Sequence, residues 1–348
     1  MRFLATAGKL AGFLSRAGYQ AVSRSSTSKS SGIDWLIFAL LGFFWGSSYL
    51  FIKIGVDAGL QPFTLVMLRL LIGSALLGAV VLIAREKLPR ERRFYAHISV
   101  VGFFGIALPF VLITFAETSV DSALAAVLTA PVPLFVIPFA ALLLPEEGLT
   151  LNKVIGVVIG LVGVAVLVGF DPAQLGTNDF LAEIILICAA VSYAIGGVYA
   201  RRFVQGYRPM IPALFEVFTA LLMVTVLAFI FERPLSTSLN SDAIIAVVWL
   251  GLIGSGLAFL AFFRLLGRWG AARTSLVAYL LPVWGIILGA IVLQEQIPPQ
   301  LLLGTALVIG GIAIVNARRE QVGGFANRLR GRPTADPDAE ATALSEQR

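Results

Sequence analysis

Trp45, Ser48 and Tyr49 of the stretch FFWGSSYLFIKIG (43–55) fall at i, i+3 and i+4, so in a helix they share one face. They offer an aromatic π face and two hydroxyls, groups that can hold a solute without a covalent step. A cation, Lys53, follows one turn after Tyr49. The pattern recurs at an offset of 148: in VSYAIGGVYARR (191–202), Tyr193 falls on Trp45, Gly196 on Ser48 and Arg201 on Lys53. Small residues and hydroxyls in apolar helices also mediate close helix packing. Cavity lining and packing are therefore both open readings of this face.

A second set of candidates surrounds prolines in apolar runs. Pro131, Pro133 and Pro138 lie in one run and Pro282 in another, with Thr129 and Tyr279 just upstream. Proline removes a backbone hydrogen bond and kinks a helix. Helices interrupted at corresponding places in two halves point to a binding site, although a static packing kink is the alternative. Thr129, Tyr279 and Trp284 thus join the cavity candidates.

Ionisable side chains in hydrocarbon cost about 3 kcal/mol or more and are suspects for function. Arg69 lies about two turns into its run, in need of a partner but near enough to the end to snorkel outward. Glu216 lies about a turn inside another run, and Glu117 is expected at a mouth. These three are the candidates for ion coupling. Glu183 is expected to reach water, and Glu146 and Glu295, at the ends of runs, to serve as caps.

Other chemistries lack their parts. The GSG at 254–256 could suggest a serine nucleophile, but the single histidine, His97, falls at the start of a different run. No paired acids are found for aspartyl chemistry. One cysteine, Cys188, gives neither a disulfide framework nor a thiolate metal site. No GxxxxGK[ST] stretch is present to cradle ATP. The sequence calls for no cofactor, no metal and no enzymatic activity.

The elements that must position these residues are membrane spans. Of 348 residues, 58% are hydrophobic and 13% charged, against about 25% charged in soluble domains. Ten apolar runs, each long enough to cross hydrocarbon of about 30 Å, occupy 34–55, 62–84, 97–116, 120–144, 153–170, 180–200, 211–231, 242–264, 272–293 and 300–317. Backbone groups in lipid must pair internally, and runs of this length do so as helices rather than barrel strands. With the N-terminus in the cytoplasm, every Lys and Arg except Lys53, Arg69 and Arg233 falls on the inner side. By the positive-inside rule, both termini are expected in the cytoplasm of a cell (inner or plasma) membrane. The net charge of +6 then needs no nucleic acid. Residues 1–33 read as a flexible basic tail, with an organellar transit peptide as the alternative. Residues 318–348 read as a disordered tail.

The chain is an internal repeat. ALAAVLTAPVPLFVIPFAALLLPEEGLT (123–150) lies over ARTSLVAYLLPVWGIILGAIVLQEQIPP (272–299), placing Pro133 on Pro282 and Glu146 on Glu295; one residue of slip then brings Gly156 onto Gly304 and Gly163 onto Gly311. The copies, 34–170 and 180–317, have five spans each. An odd number predicts that the second enters the membrane inverted, a plan recurrent in secondary transporters.

Together with the repeat, FWGSSYLFIK, LRLLIG around Arg69, GIALPFVLITFAETSVDSALAAVLTAPVPLF and LGLIGSGLAFLAFFRLLGRWGAARTSLVAYLLPVWGIILGAIVLQEQIPPQLLLG resemble the drug/metabolite transporter superfamily, in particular its EamA-like ten-helix members. The resemblance covers roughly residues 34–317. It implies an all-α bundle of two inverted five-helix halves around a central cavity, moving a small metabolite or drug, with export favoured. Its partners would be a small-molecule substrate and the lipid bilayer, with a homodimer also admissible. The FAETSVDS segment departs from relatives, which more often have a basic residue and small residues there. A channel or a membrane protein without transport activity is the alternative.

Overall fold

The computed structural model describes residues 32–144, 150–169 and 178–316. The expected tails and Glu146 lie outside the described residues. Among those, ten helices are long and apolar enough to cross a membrane: Gly32–Asp57, Pro62–Ile83, Arg92–Ala116, Ser122–Leu143, Leu151–Val168, Asp179–Phe203, Met210–Phe231, Ser241–Trp269, Ser275–Val292 and Pro299–Asn316. They are called spans 1 to 10 below. No strand occurs among the described residues.

Several helices outrun the apolar stretches that predict them. Span 3 begins at Arg92, so His97 lies in its second turn. The helix that closes span 8 runs from Ala258 to Thr274, which makes Arg264 and Arg268 helical rather than loop residues. They lie 3.7 and 3.4 Å from the carboxylate of Asp34, itself 1% exposed at the start of span 1. A helix need not stop where lipid stops, because its own backbone bonds form equally in water.

Four spans are irregular, in repeat-related pairs. Span 3 contains a π-helical turn at Phe103–Ala107 and span 8 one at Trp249–Leu257. Span 4 breaks between Ser122–Thr129 and Val132–Leu143, while span 9 opens with a 3-10 segment, Ser275–Tyr279, before its α-helix Leu280–Val292. Both spans are interrupted near the expected prolines, but not by mid-helix loss of a hydrogen bond. Pro131 is the N-cap of the resumed helix, and Pro133 and Pro282 sit in first turns, where a missing N–H costs little. Only Pro138 lies inside its helix.

Span 1 packs on spans 8 and 9, and span 6 on spans 3 and 4, so each repeat inserts its first helix into the other. Spans 2 and 7 pair, as do spans 5 and 10. In the last pair a Cβ on Gly156 would lie 2.5 Å from the Gly311 carbonyl oxygen, and one on Gly163 2.9 Å from that of Gly304. Glycine is required at this antiparallel crossing because the backbones themselves touch.

Two span starts are capped from the other repeat. Neither Gln61 nor Asp121, the N-cap residues of spans 2 and 4, caps its own helix by a side chain. Instead the Glu232 carboxylate, past the end of span 7, accepts from Phe63 N (2.9 Å) and Thr64 N (2.7 Å). Glu295, after span 9, accepts from Ser122 N (2.8 Å) and Ala123 N (2.9 Å). Gln294, at φ 57°, turns the chain through the left-handed region to deliver it. Glu295 is thus a cap as expected, but for another helix. Anions at free amides of a helix N-terminus are favoured by both hydrogen bonding and the helix dipole.

Candidate functional site

Two cavities are candidates. The larger, about 510 Å³, lies at the connection ends and is lined in part by Asp121, Glu183, Gln296 and Gln300. Glu183, expected to reach water, is only 8% exposed there. The smaller, about 320 Å³, lies between the repeats and is lined by Trp45, Ser48, Tyr49, Arg69, Thr129 and Tyr193, with Gly105, Phe110, Phe259 and other apolar residues. Its wall comes from spans 1, 2, 3, 4, 6, 8 and 9, and it gathers most of the candidates into one place.

Its polar groups are held in defined positions. Thr129 donates its only hydroxyl proton to Ala125 O at 2.8 Å, so in the 2.6 Å contact between Tyr49 Oη and Thr129 Oγ1 the tyrosine donates. This bond ties span 1 to the broken end of the first helix of span 4. Ser48 Oγ donates to Phe44 O at 3.1 Å. Trp45 lies edge-on to Phe259, with ring centroids 6.1 Å apart.

Arg69 is 2% exposed and does not snorkel. Its Nε donates to Ser255 Oγ at 3.2 Å, and the guanidinium carbon sits 4.1 Å over the Phe110 ring. No carboxylate lies within ion-pairing distance of it among the described residues. Ser255, the serine of GSG, is therefore a fixed acceptor for a cation. Stacking on an aromatic face and one hydroxyl replace only part of the guanidinium's hydration.

The repeat places Glu216 opposite in sense. Gly105 and Gly254 are repeat mates within the two π-helical turns. A Cβ at Gly254 would lie 3.4 Å from Arg69 Nη2, and one at Gly105 2.6 Å from Glu216 Oε1. Matching glycines of the two halves thus face a cation in one case and a carboxylate in the other. Glu216 does not itself line the cavity, although Gly105 does.

Two candidates fall elsewhere. Tyr279 accepts a hydrogen bond from Asn316 Nδ2 at 2.8 Å, at the end of span 10. Trp284 packs edge-on against Phe43 (5.1 Å) and over Gly46. Ala278 and Leu281 occupy the cavity wall in their place. Glu117 is also not where expected: instead of an ordinary mouth residue it is fully buried. Sequence reasoning missed Phe110 and Phe259, though they are repeat mates at an offset of 149, and that coincidence is the signal that could have found them.

A ten-helix membrane bundle enclosing an aromatic cavity with a buried cation has the architecture of a membrane transporter. The chain belongs to the EamA-like transporter family, whose model matches residues 33–169 and 180–317, one match per repeat. It is 26% identical over 274 residues to YoaV of Bacillus subtilis, described as an uncharacterized transporter, covering 77% of this chain and 91% of that one. It is 32% identical over 248 residues to the uncharacterized inner membrane transporter YedA of Escherichia coli K12, with 70% and 78% covered. A solved crystal structure matches with a TM-score of 0.60 at 24% identity, over 82% of this chain and 98% of that chain, a likeness of fold. The chain is a multi-pass membrane transporter, and its partners are accordingly a small-molecule substrate and lipid.

Proposed function

We propose that the protein is a secondary transporter that exports a small neutral or zwitterionic amphipathic solute by alternating access, driven by a gradient. The observation that carries this reading is the Arg69 guanidinium, without a carboxylate partner among the described residues, in the wall of a cavity lined by Trp45, Tyr49, Phe110, Tyr193 and Phe259. A solute carboxylate would take the unused guanidinium donors, and aromatic faces would cover its apolar part. Glu216, on the far side of Gly105, would suit an ammonium group once the cavity rearranges. An unpaired charge in hydrocarbon is costly, so a cavity of this kind gains most from a ligand that supplies the counter-charge.

The two halves are read as inverted repeats. The antiparallel contacts of spans 5 and 10, with Gly156 on Gly311 and Gly163 on Gly304, support that reading. The distribution of Lys and Arg supports a cytoplasmic position for both termini.

A metabolite-export profile of cells overexpressing the protein would name the solute, and counterflow in proteoliposomes would test the mechanism. Saturable counterflow of a zwitterion is expected. A non-saturating leak would favour a channel instead, and a strict dianion as the only transported species would overturn the substrate class.

A further inference from the structure

Glu117 follows the last helical turn of span 3 as its C-cap. Its side chain is 0% exposed, and among the described residues neither carboxylate oxygen has a hydrogen-bond partner. The nearest cation does not pair with it. Lys53 Nζ donates to the main-chain oxygen of Glu117 at 3.0 Å and lies 3.6 Å from Asp57 Oδ1. The charged groups around the carboxyl are Lys53 and Asp57 from span 1, Arg69 from span 2, and Glu295 from the span 9–10 connection.

Three independent effects disfavour the ionised form here. A carboxylate without donors loses its hydration with nothing in exchange. The C-terminal end of a helix carries partial negative charge. The Glu295 carboxyl group, held by the amides of span 4, adds an acidic neighbour. Burial pushes the Glu117 carboxyl well above the usual carboxylate range; Lys53 and Arg69 pull against this, while Glu295 and Asp57 add to it.

We propose that Glu117 is a proton-binding site, occupied while the end of the bundle where spans 1, 3 and 4 meet is packed shut, and emptied when that end opens. Opening hydrates the carboxyl and gives its proton to water. Lys53 then moves from the main-chain oxygen of Glu117 to the new carboxylate, so the loss of one proton remakes the contact between spans 1 and 3. Closing requires the proton back. This deepens the transport reading above, on which it rests for its role in a cycle, by naming the proton as the ion that gates that end.

The test has two arms. In protein reconstituted in lipid, the infrared difference between wild type and Glu117→Gln at pH 7 should contain the C=O stretch of a protonated carboxylic acid. Glu117→Asp should restore that band at a shifted frequency. A carboxylate doublet in its place would overturn the proposal. This arm needs no substrate, so its result stands even if no transported solute is found. Once a solute is known, its exchange rate should vary several-fold with the pH on the Glu117 side in wild type and Glu117→Asp, and become flat in Glu117→Gln. An unchanged pH slope in the Gln variant would also overturn the proposal. Loss of exchange in wild type itself would count against the transport reading and leave the infrared result to decide on the proton.

Discussion

The phenol of Tyr49 donates a 2.6 Å hydrogen bond to Thr129, the last helical residue before the break in span 4. One residue thus both lines the cavity and holds the interrupted helix against span 1. Tyr49→Phe removes the donor but leaves Thr129 bonded to its own helix, so stability should fall by only about 1 kcal/mol. Transport should fall further, by several-fold, because the break loses its tether. Thermal melting in detergent and uptake in proteoliposomes, read on the same preparation, would separate the two effects.

Arg69→Ala should leave abundance and melting temperature equal to or above wild type, since it removes a buried cation whose hydration is only partly replaced. Transport should fall at least tenfold. Arg69→Lys should recover little, because a lysine cannot offer the planar fork or stack on Phe110 in the same way. A large loss of folded protein in Arg69→Ala, with normal transport per molecule, would make the residue purely structural.

Trp45→Ala and Tyr193→Ala test the repeat-related walls. Each should reduce transport more than membrane insertion, and by comparable amounts, because the two residues occupy matching places on spans 1 and 6. Normal transport at wild-type abundance in both variants would remove this cavity as the binding site.

Glu232→Gln and Glu295→Gln should each destabilise the bundle by about 1.5–3 kcal/mol, the range for hydrogen bonds to a charged group. A glutamine can still accept one bond, so alanine in either place should cost more. Both effects should appear as lower melting temperatures without a change in the transported species.

Which of these features the sequence discloses follows from what repeats and what does not. The spans are legible because hydrocarbon thickness sets the length of an apolar run, and Trp45 and Tyr193 because the repeat gives them the same place twice. Tyr279 and Trp284 lie outside the cavity lining for a geometric reason. A helix of 3.6 residues per turn advances about 100° per residue, whereas the 3-10 segment Ser275–Tyr279 advances about 120°. Five such residues turn the following face by about 100° relative to a regular helix. The π-helical turns of spans 3 and 8 displace their faces in the opposite sense, which is why Phe110 and Phe259 arrive in the cavity unannounced. Glu117 is not legible because burial at a helix end depends on what packs against it from elsewhere in the chain; here Lys53 of span 1 lies against its main-chain oxygen.

Spans 5 and 10 meet through backbone atoms at Gly156, Gly163, Gly304 and Gly311. The backbones approach directly there, and the side chains of Leu167, Leu307 and Val315 close in beside the glycines, so the seam has little room for a larger residue. Neither helix contributes a residue to the central cavity, and neither does span 7. On the alternating-access reading proposed above, this seam would serve as the hinge pin, with displacement growing across the bundle toward the cavity wall. A methyl group added at Gly163 or Gly311 would shim that pin, altering how far both ends swing without touching any residue that meets the solute.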